Sequence, residues 1–321
     1  MPAAPSGFDG KQLSSLRCPD CHCNALSKHL DVLKCGNCGN TFPVVHRKPV
    51  LLRHDNSLFE LDRYLSIDDV KSYRQNRISR FLPGLSVNLA SDRILPMLRG
   101  TLDSRGCCSV LIIGGGTQRN WLDPLLCRDV PHELVYSDID ITSDVDIFCD
   151  GHDLPFVDGS FDAIVTTAVL EHVMYPEKVA TEIARVLKTD GLLYSELPFM
   201  QQVHEGAYDF TRYTLSGHRR LFNQFKEIEA GMVAGPGTAL AWALENFLLA
   251  FVAGIRSRVI VKGASRLFFS WVRYFDYFLE RRPQAMDGAS CTYFYGAKSE
   301  QKVPDDEIIR SYVGAKHLTH I

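Results

Sequence analysis

The stretch from Cys149 to Tyr175, CDGHDLPFVDGSFDAIVTTAVLEHVMY, constrains the fold more than any other part of the chain. Its centre, Ala163 to Val169, is a short apolar, β-branched run of the length expected for a strand buried on both faces. Two turn signals precede it, Leu154-Pro155 and Asp158-Gly159-Ser160. Leu170-Glu171-His172-Val173 follows, then a helical stretch, PEKVATEIARVLK, from Pro176 to Asp190-Gly191. A second apolar strand, Gly191 to Leu197, stops at Pro198. Strand, crossover helix and strand in this length predict a parallel βαβ unit. Ligands of such sheets sit beyond the carboxyl ends of the strands, here Thr166 to His172 and Leu197 to Phe199. Thr167 is therefore a candidate ligand contact.

DGHDLPFVDGSFDAIVTTAVLEHV resembles the adenine-side loop and fourth strand of class I S-adenosylmethionine (SAM) dependent methyltransferases. The likeness is to the type 11 group, with its LPF, SFD and LEHV strings and a following RVLK. It implies an α/β, Rossmann-like sheet of seven strands, parallel except for the last, with helices on both faces.

Cys18-Pro-Asp-Cys21 and Cys35-Gly-Asn-Cys38 are two CxxC knuckles separated by 13 residues. Two such turns facing each other make a tetrahedral set of four thiolates, the closed arrangement of structural zinc. Cys23 is a spare thiol or a competing ligand. A redox role for the pairs is the weaker alternative. Ten cysteines in a chain large enough to bury a full core point to metal and a reducing, cytoplasmic setting rather than a disulfide scaffold. Residues 16–52 resemble the small zinc-ribbon protein that activates tRNA and release-factor methyltransferases. That likeness implies a scaffold beside the catalytic domain. With net charge −3, the chain offers little support for nucleic-acid binding.

The expected organisation is a zinc ribbon over 1–53, a helical connector over 54–85, a methyltransferase domain over 86–299 and a polar, poorly ordered tail over 300–321. In the connector, Tyr73 and Arg74 are placed to lie over a cofactor or, more simply, on a solvated helix face. The amphipathic helix before the first sheet strand is expected over Ser86 to Leu102.

Cys108-Ser-Val-Leu-Ile-Ile-Gly114-Gly115-Gly116 reads as the first sheet strand and its glycine loop, where backbone can approach a ligand closely. The methyltransferase pattern has an acid two residues before the first glycine and another glycine two after the last. This chain has Ile112 and Gln118 there. The dinucleotide pattern GxGxxG fails too, because no glycine stands at its late position, which disfavours a nicotinamide oxidoreductase. Leu134 to Asp140 is the second strand. Asp138 at its end suits both ribose hydroxyls, with Asp140 in reserve. The third strand closes on Asp150, with Gly151 and His152, at the position where the family contacts the adenine amino group. Each aspartate could instead cap a turn.

From Leu197 to Thr214 the chain is dense in His, Tyr, Asp and Arg without clean periodicity, the character of a functional loop. His204 is placed as a general base and Asp209 as its orienting partner. The plainer reading is that both only hold the loop. His172 is read as a structural hydrogen-bonder. The sixth and seventh strands are expected near Lys226–Gly231 and Ser290–Lys298. Between them, about 236–283, lies a helical insertion. Thr238 to Ile255 is marginal for a membrane span, since Glu245 and Asn246 interrupt it. Residues 256–282 carry seven Arg/Lys against two acids, with aromatics at helical spacing. This insertion is expected to be a lid, with peripheral contact to the inner face of a membrane as the alternative. The function expected is methyl transfer from SAM to a small-molecule or glycan acceptor, most simply at oxygen. Its rivals are a tRNA or protein acceptor and a non-catalytic scaffold.

Overall fold

The computed structural model describes residues 13–65, 82–116 and 118–315, apart from the side chains of Asp62 and Arg63. Tyr73 and Arg74 lie outside the described residues. The chain divides into two compact units.

The first unit spans residues 1–72, 99–166 and 175–192. Its strands are β1 (Leu26–His29), β2 (Val32–Cys35), β3 (Thr41–Val45), β4 (Lys48–Leu51), β5 (Ser109–Ile113), β6 (Glu133–Asp138), β7 (Ile147–Cys149) and β8 (Phe161–Thr167). They form one run, β1-β2-β3-β4-β7-β6-β5-β8. β1 to β4 pair antiparallel. β5, β6, β7 and β8 pair parallel, Val110 facing Leu134 and Ala163. The apolar runs SVLII and AIVTT are buried almost throughout, as strands covered on both faces require. Each fully buried Ile or Val there contributes about 1.5–3 kcal/mol. Helix Pro176–Val186 starts with proline in its first turn and buries Val179, Ala180 and Ile183. It ends two residues earlier than the sequence suggests. Leu187 is fully buried and already begins β9 (Leu187–Pro198), and the Asp190-Gly191 turn signal is absorbed inside that strand.

The ribbon is no separate bead. β4 pairs parallel with β7, Val50 facing Phe148 and Leu51 facing Cys149. Leu16 bridges Phe156. The amides of Arg17 and Val157 donate to Pro155 and Ser15 carbonyls, and the Arg17 guanidinium pairs with Asp153 and Glu182. Ribbon and sheet thus share one hydrogen-bond ladder. The expected connector is helical only at Leu61–Leu65 among its described residues.

The second unit spans residues 73–98, 167–174 and 193–321. β10 (Phe225–Ala234) and β11 (Cys291–Lys298) form an antiparallel pair, matching the predicted reversal at the end of the sheet. The insertion folds as helices Pro236–Leu249 and Ile255–Phe269, followed by short turns to Gly288. No helix among the described residues is long and apolar enough to cross a membrane. Asp276 is fully buried and accepts from the amides of Gly235, Gly237 and Thr238, closing the positive end of helix 236–249 with a carboxylate. A side chain at Gly237 would meet the Val272 carbonyl at 2.5 Å, so only glycine fits. Residues 301–315 are more than a loose tail. Asp305–Arg310 is a helix with Ile308 buried, and the Ser311 carbonyl accepts from Arg219.

Candidate functional site

In the first unit, the four predicted cysteines converge. Cys18 and Cys38 sulfurs lie 3.7 Å apart, and those of Cys21 and Cys35 lie 3.6 Å apart. A tetrahedral zinc with 2.3 Å bonds sets its sulfurs about 3.8 Å apart, close to both of these separations, and all four sulfurs lie within 4.8 Å of one another. The Asn37 amide points at the Cys35 sulfur, 3.4 Å away. Cys23 is not in the set. Asp20, inside the first knuckle, accepts from the His54 amide and ring and from Asn40, which ties the chain leaving the ribbon to the metal turn.

The glycine loop packs directly on the end of β6. Gly115 donates to the Ser137 carbonyl, and a side chain there would strike the Tyr136 ring at 2.6 Å. Gly114 has φ 69°, which glycine alone adopts without strain. Gly116 donates to Asp138 Oδ2 at 2.9 Å, while Asp138 Oδ1 accepts from Asp140. Burial pushes the Asp138 carboxyl up, against the pull of these amides. Each oxygen keeps a lone pair for a ribose hydroxyl. Ile112 is fully buried in β5 and offers nothing to a ligand's charged end. Gln118 donates from its side chain to the Gly114 carbonyl, so this departure from the pattern braces the loop.

Asp150 closes the third sheet strand and is buried. Its Oδ1 accepts from the His152 amide and Nδ1, its Oδ2 from Asn56 Nδ2 at 2.9 Å. Burial alone would raise this carboxyl, but the hydrogen bonds and charge of His152 outweigh it and hold the group below the usual carboxylate range. Gly151 follows against Val179, in ordinary contact. Asn56 was not anticipated from the sequence; a lone Asn after a charged turn carries no signal of a partner so distant in the chain. Tyr64 is similar, donating to the Ile139 carbonyl beside Asp138. Gly114, Gly115, Gly116, Asp138, Asp150 and Gly151 thus belong to one unit, whereas Thr167, at the end of β8, is assigned to the other.

In the second unit, the loop after Pro198 is held from both ends: Phe199 and Met200 donate to Ser290 and Ala289, and Tyr213 donates back to Pro198. Asp209 pairs with Arg212 through both oxygens and accepts from the His204 amide. Those Arg212 bonds hold the Asp209 carboxyl far below its usual range. Arg212 also donates to the carbonyls of Gln201, Gln202 and Thr211. Asp209 is therefore first a loop clasp. Its Oδ2 lies 3.6 Å from His204 Nδ1, which is also 3.2 Å from the Gln202 carbonyl. These two acceptors orient the ring and leave Nε2 bare. His172 stands edge-on to His204, centroids 4.9 Å apart, and Trp242 of helix 236–249 is 6.3 Å from it. Glu171, wholly buried, is the residue that sequence reasoning passed over. Burial pushes its carboxyl up to about 8. The LEHV string displays it openly, but nothing in that string says which distant residue will face it.

Residues 122–195 match the family model described as a methyltransferase domain. That stretch is similar to a methyltransferase domain. The match covers the strands and crossover that carry Asp138 and Asp150, and it supports a SAM-dependent methyltransferase. No curated protein matches the chain. Among solved structures, a Galdieria sulphuraria protein assigned as a sarcosine dimethylglycine methyltransferase is 15% identical, with TM-score 0.43, covering 66% of this chain and 87% of its own. A complex of the Haloferax volcanii Trm112 methyltransferase activator and a protein classed as a methyltransferase gives 17% identity, TM-score 0.40 and coverage of 65% and 92%. Haemonchus contortus phosphoethanolamine N-methyltransferase 2 with bound S-adenosyl-L-methionine gives 13%, 0.39, and 64% and 53%. Such distant likenesses say nothing of acceptor or activity.

Proposed function

We propose that the chain transfers a methyl group from SAM to a hydroxyl of a small-molecule or glycan acceptor. The observation that carries the reading is Asp138, held by the Gly116 amide at the mouth of a glycine loop where a side chain at Gly115 would strike Tyr136. Asp138 would hold the ribose, and Asp150 with Gly151 the adenine. Thr167, at the end of β8, is the remaining candidate contact. Bound SAM supplies an electrophilic methyl on a sulfonium sulfur. On the acceptor side, His204 presents a bare Nε2 suited to take a hydroxyl proton, with Asp209 as positioning residue. Ile112 leaves the amino-acid end of SAM without the usual acid, so the non-catalytic scaffold is the reading to defeat.

Calorimetric titration of zinc-loaded protein with SAM and with its demethylated product tests the proposal. Micromolar binding is expected, weakened about 10–100-fold in Asp138→Ala, as loss of a charged hydrogen-bond acceptor worth about 1.5–3 kcal/mol requires. No binding up to millimolar ligand would overturn it and leave a scaffold.

A specific observation also favours membrane contact. Phe247, Phe251, Ile255, Ile260, Leu267, Phe268, Trp271 and Phe278 of the insertion are each more than half exposed, beside Arg256, Arg258 and Lys262. Such a surface suits the headgroup layer of an anionic bilayer. Sedimentation with phosphatidylserine vesicles should carry the protein down, and Phe268→Asp with Trp271→Asp should release it. Equal recovery with neutral and anionic vesicles would end the idea.

A further inference from the structure

Glu171 poses a problem that the methyltransferase reading does not solve. Its side chain is completely buried, and neither carboxylate oxygen has a hydrogen-bond partner. A buried acid without donors costs several kcal/mol and calls for an explanation, a bound ion among them. Arg212, the nearby cation, is spent on Asp209 and three carbonyls. What faces Glu171 instead is imidazole. Its Oε1 lies 3.6 Å from His172 Nε2. His172 Nδ1 is 2.7 Å from the Tyr208 carbonyl and must carry the proton there, so Nε2 holds a lone pair. His204 is oriented likewise, its Nδ1 turned to the Gln202 carbonyl. Ligand atoms of Glu171, His172 and His204 all lie within 4.8 Å of one another.

We infer that Glu171, His172 and His204 form a binding site for a divalent first-row metal ion. Two imidazoles and one carboxylate leave coordination positions open, unlike four thiolates. Each histidine has its other nitrogen fixed by a carbonyl, and His204 has Asp209 behind it as well, the outer-shell arrangement that metal-binding histidines use. Bonds of about 2.1 Å need the ligand atoms about 3–3.5 Å apart. The Glu171–His172 pair is almost there, and a small turn of the partly exposed His204 ring completes the set. The functional consequence rests on the proposed reading of this loop as the acceptor side. A hydroxyl entering an open position would lose its proton to water under the ion's field. His204 would then hold the ion and not the proton.

The test uses the full chain with its ribbon already zinc-loaded, titrated with Mn²⁺ and followed by the loss of the free-ion electron paramagnetic resonance signal. Thiolates are poor ligands for Mn²⁺, so the zinc-loaded ribbon stays silent. One equivalent should bind. Glu171→Gln, nearly the same size, should weaken it by more than the roughly 10–100-fold that loss of an outer-shell partner costs. His204→Gln should do the same; it lies on a surface loop and keeps the inference testable should the Glu171 variant fail to fold. No binding of Mn²⁺, Co²⁺ or Zn²⁺ beyond the ribbon's equivalent, or binding unchanged in both variants, would overturn it. SAM affinity, measured in the same samples, separates the two proposals: metal binding without SAM binding sinks only the methyl-transfer reading, and the reverse sinks only the metal site.

Discussion

The two side-chain clusters suited to a metal ion could hardly be more different. Cys18, Cys21, Cys35 and Cys38 come from two tight turns, and all four are alike. They fill a tetrahedron and leave nothing over for a substrate. Glu171, His172 and His204 come from a short turn and a distant loop, are of two chemistries, and fill only part of any coordination sphere. The first arrangement can only hold a fold together; the second can take a further ligand. The number of open positions, more than the identity of the metal, separates structure from chemistry here.

Removing one thiolate from the closed set should have the largest effect. Cys35→Ser is expected to lose the bound zinc and to destabilise the protein on the order of 5 kcal/mol, since structural zinc binding is folding free energy. Because β4 shares a ladder with β7, amide exchange should quicken at Ile147 to Cys149 as well as in the ribbon. Zinc content and melting temperature equal to wild type would erase the distinction drawn above.

A smaller effect sharpens the comparison from the side of the histidines. His218 is fully buried with both ring nitrogens engaged, by Ser195 and Thr292 hydroxyls at 3.1 Å, and so has none left for a metal. Burial, assisted by the Arg219 charge, lowers it to about 3. The unfolded chain takes up this proton near pH 6.5, and the folded one resists until about 3. Stability from this group is therefore full above pH 6.5 and falls as the pH drops towards 3, by about 2 kcal/mol at pH 5. His218→Gln should flatten that window in denaturant titrations. A variant that keeps the same acid slope would mean that His218 is not the cause.

Much of this was legible in the sequence because the signals are local. CxxC fixes two ligands within one turn, and the β-branched runs of β5 and β8 announce buried strands without any knowledge of their partners. The glycine loop is followed at once by the strand it packs on. What could not be read depends on pairs far apart in the chain. Nothing near Lys48-Pro-Val-Leu51 says that it will extend the sheet beside Ile147–Cys149. Asn56 gives no hint of Asp150, or Glu171 of His204. The sequence extends the helix before β9 too far because Arg185-Val-Leu-Lys188 has good helix formers, whereas burial of Leu187 in the strand decides the boundary.

The ladder between β4 and β7 also bears on solubility. β7 is a three-residue strand of Ile147, Phe148 and Cys149, all buried, and β4 is the neighbour that covers its outer side. A strand of that composition, left uncovered, is a template for other chains. At the far end of the ribbon the exposed edge is β1, only four residues long, with Ser27, Lys28 and His29 exposed. That is a poor invitation to aggregate. The ribbon therefore exchanges a sticky margin for a blunt one, and a chain that has lost its zinc is expected to precipitate before it merely falls silent.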